Sequence, residues 1–366
     1  MSKLSTIDKQ ALLALQLTDS GHLANAADIC QQLIQSYPLK PDGWYVLGLV
    51  CYGLGETQKA ETLIQKAISL APAIKKFNFM DGLLRHQNEF TPYTSHYFQY
   101  LNYKQSLLTD AFLISWPKAG RTWLRVLLGE ILAHQFHIED RDRMELAELV
   151  EDIPGAPVIE VSHDDYPHWK PIDRMENNKQ VYKNNRIMFL VRDPRDVMVS
   201  QYFQYTLRND KEKANDADFN GSLSDFIRHP IGGIESLVKF YNIWAKNRNR
   251  VKAFLLIRYE DLHQNPESIL TNILNFVGLN GVSREIICQA IEACSFENMR
   301  EQELKGSSGN ARLKSEASED QNALKTREGK VGGYVNYLSA DDIAFVEDVI
   351  NTRLDDFYSF YKYSRE

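Results

Sequence analysis

The segment SWPKAGRTW, residues 115–123, carries the residue types that bind an oxyanion. It follows the apolar run AFLI and precedes LRVLLGEIL, whose apolar residues have helical spacing, so the pattern predicts a strand, a short loop and a helix. Backbone N–H groups at the start of such a helix attract an anion, and Lys118, Arg121 and Thr122 add two positive charges and a hydroxyl. The nucleotide-binding pattern GxxxxGK[ST] is not met, because Ser115 and Arg121 stand where it requires Gly and Lys.

A second loop of this kind is RDPRD, residues 192–196, again between an apolar run and a predicted helix. Asp193 suits the N-cap and Pro194 the first helical position, which leaves Arg192 at the end of the strand. Ser200 follows on the same helix, and an Arg with a nearby hydroxyl suits a second, separate phosphate. Taken alone, the loop is more simply interpreted as a local salt-bridge cluster.

The third loop is REGKVGGY, residues 327–334. Its three glycines and its Arg are suited to wrap a phosphate with backbone N–H groups. Without the other two loops it would be interpreted as part of a flexible tail.

Strands that alternate with helices are expected to position these loops from residue 109 onwards. The candidate strands are near-continuous apolar runs, as in parallel strands buried on both faces, at 111–116, 157–162, 186–192 and 251–259. Helical stretches follow most of them, notably at 121–135 and 194–205. The pattern predicts a three-layer α/β fold, whose parallel sheet binds ligands at the carboxyl ends of its strands.

The N-terminal region has a purely helical pattern that repeats after 34 residues, with Gly21, Ala26 and Pro38 recurring as Gly55, Ala60 and Pro72. This is the period of tetratricopeptide repeats, in which helix pairs stack through small residues. We therefore expect tetratricopeptide-like repeats in residues 1–75, a connector in 76–108 and the α/β domain in 109–366. The repeats are expected either to pack on the rest of the chain or to recruit a protein partner, and the sequence leaves both open.

Net charge, cysteine spacing and apolar runs indicate which partners and which cellular compartment the protein has. A net charge of -7 argues against a nucleic-acid partner, and the four cysteines have neither metal-ligand nor disulfide spacing, which favours a reducing compartment. The N-terminus lacks the pattern of a signal peptide. The longest apolar candidate, residues 45–55, is far shorter than the ~20 residues of a membrane span. We expect a cytoplasmic protein.

The motifs PKAGRTW, RDPRDVMVS and REGKVGG, in this order and separation, resemble those of the cytosolic-type sulfotransferases over about residues 109–360. These enzymes use 3′-phosphoadenosine 5′-phosphosulfate (PAPS) as donor, release the 3′,5′-bisphosphate PAP, and need no metal. The resemblance implies that the first loop is a P-loop relative that cradles the 5′-phosphosulfate. The donor-site residues that the resemblance implies in the first loop are Pro117, Lys118, Ala119, Gly120, Arg121, Thr122 and Trp123. Around the 3′-phosphate it implies Arg192, Ser200, Arg327, Glu328 and Gly329. Around adenine it implies Trp123, Tyr259 and Phe296.

The same resemblance assigns the catalytic roles. His163, in a Ser-His pair after the second strand, corresponds to the base, and an imidazole near its ordinary pKa of ~6.5 accepts a proton from a hydroxyl at neutral pH. Lys118 would stabilise the charge that grows on the departing phosphate during in-line transfer. His168 is the nearest competitor for the role of base.

The chain departs from the pattern of the animal enzymes at several positions. Ala119 stands in place of a Ser, Val161 and Glu328 in place of Lys, and Gly333 in place of an Asp. The Lys-Thr-Val dimerisation segment is absent after Tyr334, so their dimer is not carried over and the sequence leaves the oligomeric state open.

The acceptor is expected to be a small molecule or glycan. Polar loops at 205–222 and 300–326 are expected to cover its site. Carboxylates and aromatic rings near His163 suit a carbohydrate or another polar metabolite; they belong to Asp164, Asp165, Tyr166, His168 and Trp169.

Two other functions remain open. A P-loop kinase of a small metabolite would need a carboxylate that holds Mg²⁺, for which Asp193 is conceivable. A catalytically decayed scaffold is the other, although random loss would seldom spare all of Lys118, His163, Arg192 and Ser200.

Overall fold

The structure of the chain is a computed structural model. It describes residues 10, 11, 13, 14, 17, 22–72, 109–139, 141–150, 152–164, 166–207, 219–305 and 329–362. The predicted connector 76–108 lies outside the described residues, as do Arg327, Glu328 and Asp165 and most of the polar loops at 205–222 and 300–326. The chain folds into two compact units, Met1–Leu108 with Val150–Val158, and Thr109–Leu149 with Ile159–Glu366.

The first unit contains the helices α1 (Leu23–Ser36), α2 (Pro41–Gly53) and α3 (Thr57–Leu70), which confirm the predicted helical pattern. Small residues lie where the helices cross. A Cβ on Gly48 would be 2.7 Å from the Cδ1 methyl of Ile64, and Ala60 is completely buried. The Trp44 indole donates a hydrogen bond to the Pro38 carbonyl at 3.0 Å, which ties α2 to the turn before it.

The second unit is built on a sheet of four parallel strands, in the order β2-β1-β3-β4. The strands are β1 (Ala111–Ser115), β2 (Ile159–Ser162), β3 (Arg186–Val191) and β4 (Ala253–Arg258). All five residues of β1 are buried, as the continuous apolar runs predicted. Each strand is slightly shorter than the predicted segment, so Trp116, Arg192 and Tyr259 become the first residues of the loops and helices that follow. The predicted α/β fold is confirmed.

Helices flank this sheet and begin where its strands end. The predicted helix at 121–135 has the same bounds in the structure, and the one at 194–205 extends to Leu207. The α-helices of the second unit are α4 (Arg121–Gln135), α5 (Leu146–Val150, reaching the boundary between the units), α6 (Pro194–Leu207), α7 (Leu223–Arg228), α8 (Ile234–Asn247), α9 (Tyr259–Gln264), α10 (Pro266–Val277), α11 (Arg284–Ala293), α12 (Phe296–Lys305) and α13 (Ala340–Arg353). Across the described ranges, no helix is long and apolar enough to cross a membrane.

The turn between β1 and α4 fixes where the first loop lies. Gly120 precedes α4 with a φ of 94°, in the left-handed region that disfavours side chains. A Cβ at this position would also overlap the ring of Tyr259, the first residue of α9. The loop after β1 and the helix after β4 therefore approach each other as closely as a glycine permits.

We expect Gly120→Ala to lower the free energy of unfolding more than Gly278→Ala does. The two glycines have nearly the same backbone angles, φ/ψ 94°/11° and 88°/9°, but a Cβ on Gly278 meets nothing within 4 Å. Gly278→Ala should cost about 1–2 kcal/mol of left-handed strain. Overlap with Tyr259 should add about 1–3 kcal/mol at Gly120.

Urea denaturation of both variants measures this difference. Equal losses of unfolding free energy in the two variants would show that the Tyr259 ring moves aside for a methyl group. This result would contradict the close packing of Tyr259 on Gly120.

Candidate active site

A cavity of about 800 Å³ lies in the second unit, next to the residues that follow the carboxyl ends of the strands. Most of the residues predicted from the sequence line it: Pro117, Lys118, Gly120, Arg121, Thr122, Trp123, His163, Arg192, Ser200, Tyr259, Phe296 and Gly329. Ala119 is not among the lining residues, because its methyl group is completely buried, and it remains a predicted part of the loop. Arg327 and Glu328 lie outside the described residues.

The first loop is strained at Lys118, which has a φ of 67°. A side chain in this region costs of order 1 kcal/mol, and such strain persists only where the surroundings fix it, often at ligand clamps. Part of this fixation is visible, because the Arg192 Nη1 donates to the Lys118 carbonyl at 3.4 Å. This hydrogen bond joins the loop after β1 to the loop after β3.

Tyr259 connects all three predicted loops. Its ring packs on Gly120, and the guanidinium carbon of Arg192 lies 4.5 Å from the ring centroid, within reach of a cation–π interaction. Its hydroxyl donates to the Gly329 carbonyl at 3.5 Å, a long hydrogen bond. Gly329 has a φ of 62°, and a Cβ there would be 2.6 Å from the Cδ2 of Phe296. The two glycines therefore let two aromatic rings close against the loops.

Arg192 contacts the third loop and leaves its Nε without a partner in the described part of the chain. Its Nη2 donates to the Lys330 carbonyl at 2.9 Å and lies 3.7 Å from the Asp196 carboxylate. Its Nε is buried and has no hydrogen-bond partner in the described part of the chain. A buried donor without a partner costs free energy, and in a cavity wall it can be satisfied by a bound anion.

Asp196 fixes the third loop, a role that the sequence did not reveal. Its carboxylate accepts hydrogen bonds from the backbone N–H groups of Gly332 at 2.8 Å and Tyr334 at 3.0 Å. Burial raises the pKa of Asp196, although the charge of Arg192 and these N–H groups favour the ionised form. The only signal in the sequence is its position four residues after Arg192.

His163 has both ring nitrogens engaged. Its Nδ1 lies 2.9 Å from the Ser115 carbonyl and must donate to it, so in the neutral ring Nε2 accepts from the Arg121 Nη2 at 2.5 Å. Burial first, and then the charge of Arg121, hold the pKa of His163 well below 6.5. The ring is therefore a neutral imidazole at neutral pH, with a lower pKa than the ordinary value expected from the sequence.

His168 does not line the cavity. It is only 6% exposed, its ring packs edge-on against Trp116 at 5.8 Å between centroids, and burial lowers its pKa to about 3. It supports the neighbouring residues from the interior and is the weaker candidate for a base.

Asp164 is engaged in the interior. Its carboxylate lies 2.6 Å from the Nζ of Lys179, and it accepts from the Tyr182 hydroxyl at 3.1 Å and the Trp244 indole at 2.9 Å. Both charged residues of this pair are buried. These contacts engage the carboxylate of Asp164 inside the fold, whereas the sequence placed it among the groups near the acceptor. Among the described residues, no group of three or more His, Cys, Asp or Glu side chains is arranged to hold a metal ion.

The aromatic end of the cavity contains a residue that sequence reasoning missed. The Trp123 indole donates to the Cys294 carbonyl at 2.9 Å, which fixes its ring. His263 lies edge-on to Trp123 at 6.1 Å, and Tyr259 does so at 6.0 Å. His263 lies one turn after Tyr259 on the same short helix, which is the signal that could have found it.

Comparison with known proteins gives the following matches. A flavonol 3-sulfotransferase of Flaveria bidentis is 26% identical over 264 residues, covering 67% of this chain and 81% of that protein. An amine sulfotransferase of Oryctolagus cuniculus is 23% identical over 260 residues, covering 68% and 81%. A mouse sulfotransferase solved in complex with PAP matches 69% of this chain and 88% of its own, with 20% identity and a TM-score of 0.47.

Family models match both units. The tetratricopeptide repeat model matches residues 41–74, which include α2 and α3. The sulfotransferase domain model matches residues 108–358, from just before β1 to beyond α13. This match covers more than half of the chain and includes every residue that lines the cavity, so the chain belongs to the sulfotransferase domain family.

Proposed function

We propose that this protein transfers a sulfuryl group from PAPS to an acceptor hydroxyl and releases PAP. The observation that carries the proposal is the convergence of the residues after three neighbouring strands on one cavity: Lys118 after β1, His163 after β2 and Arg192 after β3. Membership of the sulfotransferase family supports the same reaction.

The cavity suits a donor with two separate anionic groups. Lys118, Arg121 and Thr122 lie at one loop and are proposed to bind the 5′-phosphosulfate, aided by the N-terminus of α4. Arg192 and Ser200 line the same cavity from the loop after β3 and from α6, and a guanidinium with a nearby hydroxyl suits the 3′-phosphate. A nucleoside triphosphate would have no use for this second group.

The aromatic lining suits an adenine. We propose that Trp123, Tyr259 and Phe296 bracket the base, with His263 as a further contact. Arg327 and Glu328 lie outside the described residues. Arg327 remains a predicted ligand of the 3′-phosphate, whereas the carboxylate of Glu328 would repel this group and is predicted to point away from it.

In the proposed mechanism, the Nε2 of His163 accepts the proton of the acceptor hydroxyl. For this, Arg121 has to leave Nε2, and the negative charge of the donor supplies a competing partner for its guanidinium. Lys118 stabilises the charge that develops on the departing phosphate oxygen. PAPS, when bound, supplies the sulfuryl group and this leaving group.

The two alternatives have weaker support. Asp193, the conceivable magnesium ligand of a kinase, accepts from the Arg195 guanidinium at 2.8 and 2.7 Å and does not line the cavity. A decayed scaffold would not be expected to keep Lys118, His163, Arg192 and Ser200 around one cavity. Both observations favour the sulfotransferase reaction.

The remaining proposals concern acceptor, partner and compartment. Relatives are named for flavonol and amine acceptors, and others are named cytosolic sulfotransferases, so we propose a small-molecule or glycan acceptor and a cytoplasmic location. The tetratricopeptide repeat at 41–74 is proposed to recruit a protein partner.

We expect PAP to raise the unfolding temperature of the protein, with much smaller shifts for ADP and for ATP with Mg²⁺. A ligand at a hundred times its Kd stabilises the folded state by about 2.7 kcal/mol. Lys118→Ala should reduce the PAP shift. Lys183→Ala, which removes an equal charge from an exposed position outside the cavity lining, should preserve it. A shift with ATP and Mg²⁺ but none with PAP would overturn the proposal in favour of a kinase.

We expect Arg121→Gln to raise the pKa of His163 towards its ordinary value, because the variant removes the nearby positive charge. Burial, the larger cause, should keep the pKa below 6.5. The neutral, base-competent form exists above the pKa, so in the wild type it should persist to lower pH than in the variant. Histidine ring signals in an NMR pH titration, assigned with His163→Gln, measure both values. An unchanged pKa in Arg121→Gln would contradict the contact.

A further inference from the structure

Two large aromatic side chains remain exposed close to the candidate base. The rings of Tyr166 and Trp169 stack with their centroids 4.8 Å apart and their planes within 4° of parallel. Tyr166 is 53% exposed and Trp169 is 45% exposed. We call them the aromatic pair. Exposed apolar surface of this kind often marks a binding site.

The segment that carries the aromatic pair is anchored by two buried residues. Pro167 and His168, which separate Tyr166 from Trp169 in the sequence, are buried, and His168 packs against Trp116. Tyr166 itself has a φ of 51°, a left-handed conformation that is costly for a bulky residue. Such strain persists where packing over-determines it and clusters at ligand clamps. The exposed rings are therefore held in place by the buried residues of their own segment.

The aromatic pair adjoins His163 without being part of the donor cavity. The centroid of Tyr166 lies 6.2 Å from that of His163, whereas neither Tyr166 nor Trp169 lines the cavity. A hydroxyl-bearing ring that packs beside Tyr166 would therefore lie next to His163. The aromatic pair is thus close to the group that is proposed to accept the acceptor's proton.

We propose that the aromatic pair binds the acceptor by stacking against the face of a sugar ring. This inference rests on the proposed sulfuryl transfer. A sugar ring has an apolar C–H face and a rim of hydroxyls, so it can cover half-exposed rings while its rim stays in water. A small, wholly apolar ring gains more from an enclosing pocket. The carboxylate of Asp164 is buried against Lys179, so among the described residues of this segment the two exposed rings are the groups offered to an acceptor.

Replacing the indole with an aliphatic side chain tests the proposal. With PAPS as donor and cellobiose, maltose, lactose and N-acetylglucosamine as probe acceptors, Trp169→Leu should raise KM about tenfold with little change in kcat. The matched control Trp169→Phe keeps a ring and should remain within about threefold of the wild type. A tenfold change corresponds to about 1.4 kcal/mol.

Binding of PAP separates failure of this inference from failure of the proposed function. PAP affinity should be equal in the wild type and in Trp169→Leu, because the pair lies outside the donor cavity. An unchanged KM in Trp169→Leu would overturn the inference. The inference would also be overturned if protein that binds PAP sulfated 4-nitrophenol but none of the four saccharides, or if it sulfated no saccharide at all. Failure to bind PAP would instead refute the proposed function.

Discussion

The site depends on the contact between the Tyr259 ring and the loops around it. Tyr259 begins the helix after β4, yet it packs on Gly120 after β1, lies under the guanidinium of Arg192 after β3, and bonds to Gly329. Segments far apart in sequence therefore become one lining with a fixed spacing between two groups of cations. An aromatic side chain suits this position because its flat face accommodates both a glycine backbone and a cation.

Burial and the positive charges of the site together determine the protonation state of His163, the proposed base. Arg121 occupies the Nε2 of His163 and, together with burial, keeps the imidazole neutral. A base with a depressed pKa is available over a wide pH range but accepts protons less strongly, so catalysis depends on positioning and on stabilisation of the leaving group. Binding of an anionic donor would both neutralise the cations and free His163. In the proposed mechanism, Arg121 would thus couple donor binding to the release of His163.

The fold and much of the lining could be predicted from the sequence, because both leave local signals. Apolar runs mark the strands, and the glycines and cations after them mark the loops that share an edge of the sheet. The bond of Asp196 to the third loop and the burial of Asp164 by Lys179 could not be predicted, since contacts between distant residues leave no local pattern. The Arg121–His163 contact was missed for the same reason.

Calorimetric binding of PAP and of adenosine 5′-phosphate, which lacks the 3′-phosphate, tests whether Tyr259 holds the two proposed anion sites together. The wild type should prefer PAP, Tyr259→Phe should keep this preference because the ring remains, and Tyr259→Leu should largely lose it because the two anion sites are no longer held together. Equal affinities of the wild type for both nucleotides, or an undiminished preference in folded Tyr259→Leu, would contradict the account.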